Sequence, residues 1–150
     1  MADEDDCTIC RLVDGSLGSS RVYEDDQVVA FMDHQPVNPG HVLVVPRRHA
    51  PLLDDLDEEL GAAMYRVGHR LTRALRRSGL RCEGVNLFLA DGEAAFQEIP
   101  HVHLHVFPRY TGDPFRIDAE WRIRQPDELD AAARAVRDGL AALDALDAAT

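Results

Sequence analysis

Residues 101–109 read His-Val-His-Leu-His-Val-Phe-Pro-Arg, and this alternation restricts the fold more than any other stretch of the chain. Successive side chains of a β-strand point to opposite faces, so a strand over His101–Phe107 lines up His101, His103 and His105 about 6.6 Å apart on one face. Val102, Leu104 and Val106 then face a core. Three imidazoles in a row are costly to bury without partners, so the pattern points to chemistry beyond packing. A metal site, a pH-sensing patch and a set of hydrogen-bonded core residues all fit the bare alternation. Neutral imidazole is also a nucleophile toward phosphorus when one ring nitrogen is free and the other is held by an acceptor. A strand supplies such acceptors, its carbonyls, at fixed positions.

The remaining sequence predicts an α+β fold: about five strands in a mainly antiparallel sheet, one long crossover helix and a C-terminal helix. Thr8–Val13 reads as a short helical turn ending before Gly15. Arg21–Glu24 and Val28–Asp33 read as strands joined by Asp25-Asp26-Gln27. Pro36–Gly40 is a turn cluster, and His41–Pro46 a buried strand. Over Asp57–Ser78, Leu60, Met64, Val67, Leu71 and Leu75 recur at helical steps, with Asp57 suited to cap the start and Gly79 to end it. That apolar face could cover the chain's own sheet or meet a second copy. Gly84–Ala90 is a strand followed by the Asp91-Gly92 turn. Asp127–Leu146 is an Ala-rich helix with Leu129, Val136, Leu140 and Leu143 on one side. A length of 150 residues suits a single domain, with a core over about 7–109 and a helical extension over about 110–150.

Charge narrows the partners. A net charge of −11 repels polymeric phosphate, so DNA and RNA are poor candidates, and a small anion would need a local site. The cations nearest the histidines in sequence are Arg47, Arg48 and Arg109; Arg47 and Arg48 read as solvated loop charges. Apolar runs such as Val28–Met32 and Val42–Val45 are too short to span a bilayer. Met1–Asp6 is acidic, unlike a secretory signal, and with three cysteines this favours a reducing cytoplasm over a disulfide framework.

Cys7-Thr-Ile-Cys10 is a C-x-x-C pair. Two buried thiols, a redox pair and a zinc site are the readings; the redox reading lacks the strand that places such a motif. Zinc is favoured because two thiolates and two imidazoles make a common closed site. The imidazoles are to be drawn from His34, His41, His49, His69, His101, His103 and His105. His49 follows a strand through a short loop, a sensible place for a ligand. His69, off the apolar stripe of its helix, reads as structural or solvated, and Cys82 has no partner at ligand spacing.

His101–Phe107 matches the signature His-x-His-x-His followed by two apolar residues, and on it the chain resembles the histidine-triad (HIT) family of nucleotide hydrolases and transferases. Ala30–Asp33, Pro39–Pro46 and Gly92–Gln97 are similar to family segments in the same order, so the resemblance runs from about Cys7 to Arg109. It implies a HIT-like fold and a homodimer with sheets joined across the interface. It implies that His103 attacks the α-phosphorus of a small nucleotide, that His105 contacts the phosphate and assists the leaving group, that His41 supports the triad, and that His101 orients His103. A structural zinc on Cys7, Cys10, His49 and His101 is implied for members that bind metal. Asp33 is implied to grip ribose hydroxyls, Ile9 and Phe31 to wall the base pocket, and Gln97 to lie near the phosphates, in a loop over Asp91–Gln97 whose N–H groups could face anionic oxygens. Three positions depart from the pattern: Ala90, Phe96 and Glu98 stand where members place Asn or Gln, Gly, and Ser or Thr. The function implied is hydrolysis at the α-phosphate of nucleoside phosphoramidates or dinucleoside polyphosphates. The alternatives are a transferase or phosphorylase using the same histidine, a non-catalytic nucleotide-binding protein, and a metal buffer.

Overall fold

Five strands make one sheet in the order β1-β2-β3-β5-β4, every neighbouring pair antiparallel. The computed structural model describes residues 4–150. The strands are β1 (Arg21–Glu24), β2 (Val28–Met32), β3 (Val42–Pro46), β4 (Gly84–Leu89) and β5 (Leu104–Arg109), with helices α1 (Thr8–Val13), α2 (Glu58–Leu75) and α3 (Pro126–Ala148). Of the acidic start, Met1–Asp3 lies outside the described residues, and Glu4–Asp6 forms a 3-10 turn.

The alternation of each strand divides its side chains between two cores. Val28, Ala30, Val42, Val44, Leu104 and Val106 pack with Leu60, Met64, Val67 and Leu75 of α2. Val29, Phe31, Leu43 and Val45 pack on the other face with Cys7 and Ile9. The apolar stripe of α2 therefore covers the chain's own sheet. Each such Val, Leu, Ile, Met or Phe side chain, fully buried, contributes roughly 1.5–3 kcal/mol. Asp57 Oδ1 accepts from the Leu60 N–H at 2.9 Å, and Gly79 takes the left-handed backbone (φ +81°) just beyond the helix. Gly68 lets α2 approach β5: a Cβ there would lie 2.8 Å from Leu104 Cδ2.

β5 begins at Leu104, three residues later than the sequence pattern predicts. The Val102 N–H goes to Ala50 O (2.8 Å) and the His101 N–H to Ile99 O (2.8 Å), so neither joins the ladder with β3. The alternation nonetheless holds in burial, with Val102, Leu104 and Val106 all in the α2-side core.

The chain divides into two compact units after Phe115. The first reaches past Arg109 because Asp113 and Phe115 bond back to that arginine. In the second, Arg116–Thr150, α3 starts at Pro126, Glu128 accepts the Gln125 N–H at 3.0 Å, and no residue of α3 is buried. Leu129, Val136, Leu140 and Leu143 are exposed. Among the described residues no helix is long and apolar enough to cross a membrane.

Candidate active site and metal centre

The sheet face opposite α2 carries the histidines. Register places His105 beside Leu43 of β3 and Phe88 of β4. His103 and His105 line a cleft of about 990 Å³ with His41, Asp33, Ile9 and Phe31. Ile9 and Phe31 are buried, and Leu12, Leu43 and Ile99 complete an apolar wall. Among the described residues of the lining none is Lys or Arg. Arg47 is paired with Glu24 (2.8 Å), Arg48 reaches the Asp55 carbonyl (2.9 Å) and Arg109 pairs with Asp113 (2.6 Å). An anion in this cleft meets neutral donors.

Hydrogen bonds assign the protons on the rings. His103 Nδ1 donates to His101 O at 2.6 Å, so a neutral His103 has its lone pair on Nε2. The Val37 N–H donates to His41 Nδ1 at 3.0 Å, so a neutral His41 carries its proton on Nε2. That proton points to His105 Nδ1, 2.9 Å away, and His105 in turn carries its own proton on Nε2. The row thus offers a nucleophile on His103 and a donor on His105. Burial, then the neighbouring His103 and His41, holds His105 down at about 4, with Asp33 opposing, so the donor is neutral at pH 7. Burial also lowers His41, again against Asp33. Asp33, His41 and His105 lie close enough to suggest a metal triad. The Val37 N–H argues otherwise, because it occupies Nδ1 and leaves the proton on the nitrogen a metal would need.

Asp33 sits at the end of β2, its Oδ1 taking the Gln35 N–H (2.8 Å) and its Oδ2 3.5 Å from His41 Nε2. Gln97 is not brought to the cleft. Its Oε1 accepts the Gly92 N–H (2.7 Å), and its Nε2 donates to Pro51 O (2.7 Å) and Ile99 O (3.1 Å), so the amide braces the loop. The loop's N–H groups are also largely used internally: those of Gly92, Ala95, Phe96 and Gln97 all bond within it. The three departures from the family pattern part company here. Ala90 is buried, whereas Glu98 and Phe96 line the cleft. Phe96 is 84% exposed and is the one non-glycine residue with positive φ (+69°) among the described residues.

The metal-ligand candidates converge on one point. Cys10 Sγ lies 3.4 Å from His49 Nδ1 and 3.5 Å from His101 Nδ1; Cys7 Sγ is 3.5 Å from His101 Nδ1, and the two Nδ1 atoms are 3.4 Å apart. Zinc bonds of about 2.3 Å to sulfur and about 2.0 Å to nitrogen, at tetrahedral angles, separate two nitrogens by roughly 3.3 Å and a sulfur from a nitrogen by roughly 3.5 Å. His101 Nε2 donates to Pro46 O (2.9 Å), which leaves Nδ1 free to ligate. Burial, and then Cys7, pushes the Cys10 thiol up to about 12, a pairing of sulfurs that a cation would relieve. His34 and His69 are exposed and away from this cluster.

Sequence reading missed two features. Ser19 and Ser20 line the cleft from the turn before β1, with no pattern to mark them. Asn38 and Asp113 are buried and bonded to each other across 75 positions of sequence. Their types alone read as turn residues.

A HIT domain model matches residues 15–112, and the chain belongs to the HIT family. An uncharacterised HIT-like protein of Mycobacterium tuberculosis is 37% identical over 139 residues, 93% of this chain and 96% of that one. A crystal structure of a Zn-bound histidine triad family protein from Mycobacterium smegmatis is 39% identical, covers 95% of this chain and 98% of its own, and superposes with a TM-score of 0.71. An adenylylsulfatase of Arabidopsis thaliana is 31% identical over 110 residues, 73% of this chain and 55% of the plant protein.

Proposed function

We propose that the protein is a nucleotide hydrolase that cleaves the α-phosphate bond of nucleoside phosphoramidates or dinucleoside polyphosphates. The observation that carries this reading is the 2.6 Å bond from His103 Nδ1 to the His101 carbonyl, which occupies one ring nitrogen and leaves the other beside a nucleotide-sized cleft. The Nε2 lone pair forms a P–N bond to the α-phosphorus as the bond to the leaving group breaks, and the leaving group departs with that electron pair. Water then forms a P–O bond, the P–N bond breaks, and His103 is restored. One hydrogen of the water stays on the nucleoside monophosphate and the other ends on the leaving group. The His105 Nε2–H stabilises charge on the phosphate oxygens or the departing atom. Ile9 and Phe31 hold the base, and Asp33 accepts from the ribose hydroxyls. The plant relative's name, adenylylsulfatase, is in keeping with a nucleotide substrate.

In the same reading Cys7, Cys10, His49 and His101 hold a structural zinc, supported by their spacing and by the Zn-bound mycobacterial relative. With four protein ligands it has no open position for water. It ties α1 to the segment that carries His103. The chain acts as a cytoplasmic homodimer. The apolar stripe of α2 packs on the chain's own sheet, and among the described residues β1 and β4 form the edges of that sheet.

The test is a turnover screen of AMP-phosphoramidate, ADP-linked and dinucleoside substrates with His103→Ala as control, and acid-free trapping of nucleotide on His103. A nucleoside monophosphate product and a P–N adduct are expected. An active protein that never carries nucleotide on His103 refutes the mechanism, and a nucleoside diphosphate formed only with added phosphate makes it a phosphorylase.

A further inference from the structure

A buried polar cluster lies beside the cleft and takes no direct part in the chemistry above. Asn38 is 3% exposed and Asp113 2%. Asn38 Nδ2 donates to Pro108 O and to Asp113 Oδ2, both at 2.9 Å. Asp113 receives Arg109 Nε (2.6 Å) and Nη2 (2.8 Å), and Arg109 Nη1 donates to Asn86 Oδ1 (2.7 Å). The ion pair holds Asp113 far below the usual carboxylate range. Burying such a network is a poor way to gain stability, since desolvation offsets most of the attraction. Its output is geometric: it pins the turn before β3 to the end of β5.

That turn is where His41 gets its proton assignment. The Asn38 carbonyl accepts the His41 N–H at 3.1 Å, and the Val37 N–H, one residue earlier, donates to His41 Nδ1 at 3.0 Å. We infer that Asn38 and Asp113 form a positioning clamp that fixes His41 in its Nε2–H tautomer and thereby makes His105 a hydrogen-bond donor toward the substrate. Release of the Val37 N–H lets His41 take its proton on Nδ1. The His41–His105 bond then reverses, and His105 turns a bare lone pair toward an anionic phosphate. Asp33 Oδ2 favours the same His41 tautomer, but at 3.5 Å its hold is weaker than that of the 3.0 Å amide bond. The catalytic consequence rests on the hydrolase reading; the tautomer itself does not.

The test uses the full-length, metal-loaded protein labelled with 15N-histidine, whose long-range proton–nitrogen spectra near neutral pH report which ring nitrogen is protonated. Wild type is expected to show His41 and His105 both as Nε2–H. In Asn38→Ala, His105 shifts toward Nδ1–H, kcat falls about 10-fold for the weakened donor, and KM stays within about two-fold. Asp113→Asn keeps an acceptor for Asn38 but loses the charge facing Arg109, and produces the same change in smaller degree. Val67→Ala, a cavity in the α2-side core, lowers the melting temperature and moves neither tautomer. A folded Asn38→Ala with wild-type His41 and His105 signals overturns the clamp, as does a matching shift in Val67→Ala. If Asn38→Ala does not fold, Asp113→Asn decides the matter by the same spectra. Correct wild-type tautomers without turnover of any nucleotide leave the clamp standing and remove the hydrolase.

Discussion

His101 and His103 stand two residues apart and are each fastened by a backbone carbonyl, yet through opposite nitrogens. His101 gives its Nε2 proton to Pro46 and leaves Nδ1 facing two cysteines and His49. His103 gives its Nδ1 proton to His101 and leaves Nε2, on a ring that lines the cleft. In the proposed reading the same side chain serves as a metal ligand in one case and as a nucleophile in the other. What differs is only which carbonyl the ring meets. A histidine's role here is therefore decided by its second partner, and residue type alone leaves it open.

The largest effect expected from breaking this pair is on the nucleophile side. His103→Ala should lower kcat/KM by about 10⁴ or more, since it removes the proposed nucleophile, while a fluorescent nucleotide analogue still binds. Equal turnover in this variant would take His103 out of the reaction. The ligand side should answer in stability instead. Cys10→Ser, or stripping the metal with a chelator, should drop the melting temperature by about 10 °C or more while residual activity per folded molecule changes little. An unchanged melting curve means that the cluster does not bind the fold together.

Acid sharpens the contrast through His105. Its folded form is held neutral down to about 4, so as pH falls from the ordinary imidazole value near 6.5 toward 4 the unfolded chain takes up the proton first. Stability on the order of 1–2 kcal/mol, fully present above that window, is lost within it. Urea midpoints between pH 7 and 4.5 should slope less in His105→Asn than in wild type; identical slopes would deny the burial effect. The smallest change concerns a residue outside both clusters. Phe96→Gly should stabilise the fold by about 1 kcal/mol, because the left-handed backbone there suits glycine and the exposed ring buries little. A lower melting temperature would show that the ring packs in solution.

Much of the fold was legible because it is written in periodicity. α1 and β1 fall where they were predicted, and the Leu60–Leu75 stripe of α2 meets the sheet as a 3.6-residue pattern should. The family resemblance named residues that share one cleft, since His103, His105, His41, Asp33, Ile9 and Phe31 all line it. The choice of His49 and His101 among seven histidines came from the resemblance, because composition contains no distances. The start of β5 was misplaced for a related reason: an alternating sequence looks like a ladder whether or not its N–H groups reach the next strand. The hydrogen bonds of Gln97 to Gly92, Pro51 and Ile99 leave no mark in sequence, because an amide's partners depend on the loop around it. Nothing periodic joins Asn38 to Asp113, and a contact across 75 positions leaves no local trace.

The missing side chain at Gly68 has a reach beyond packing. Leu104, whose methyl sits where a Cβ would intrude, lies between His103 and His105 in sequence. A bulkier residue on the far side of the sheet would displace the Leu104 side chain, which is rooted between the two rings. Under the proposed mechanism, a position outside the cleft can thus bear from behind on the two rings that face it.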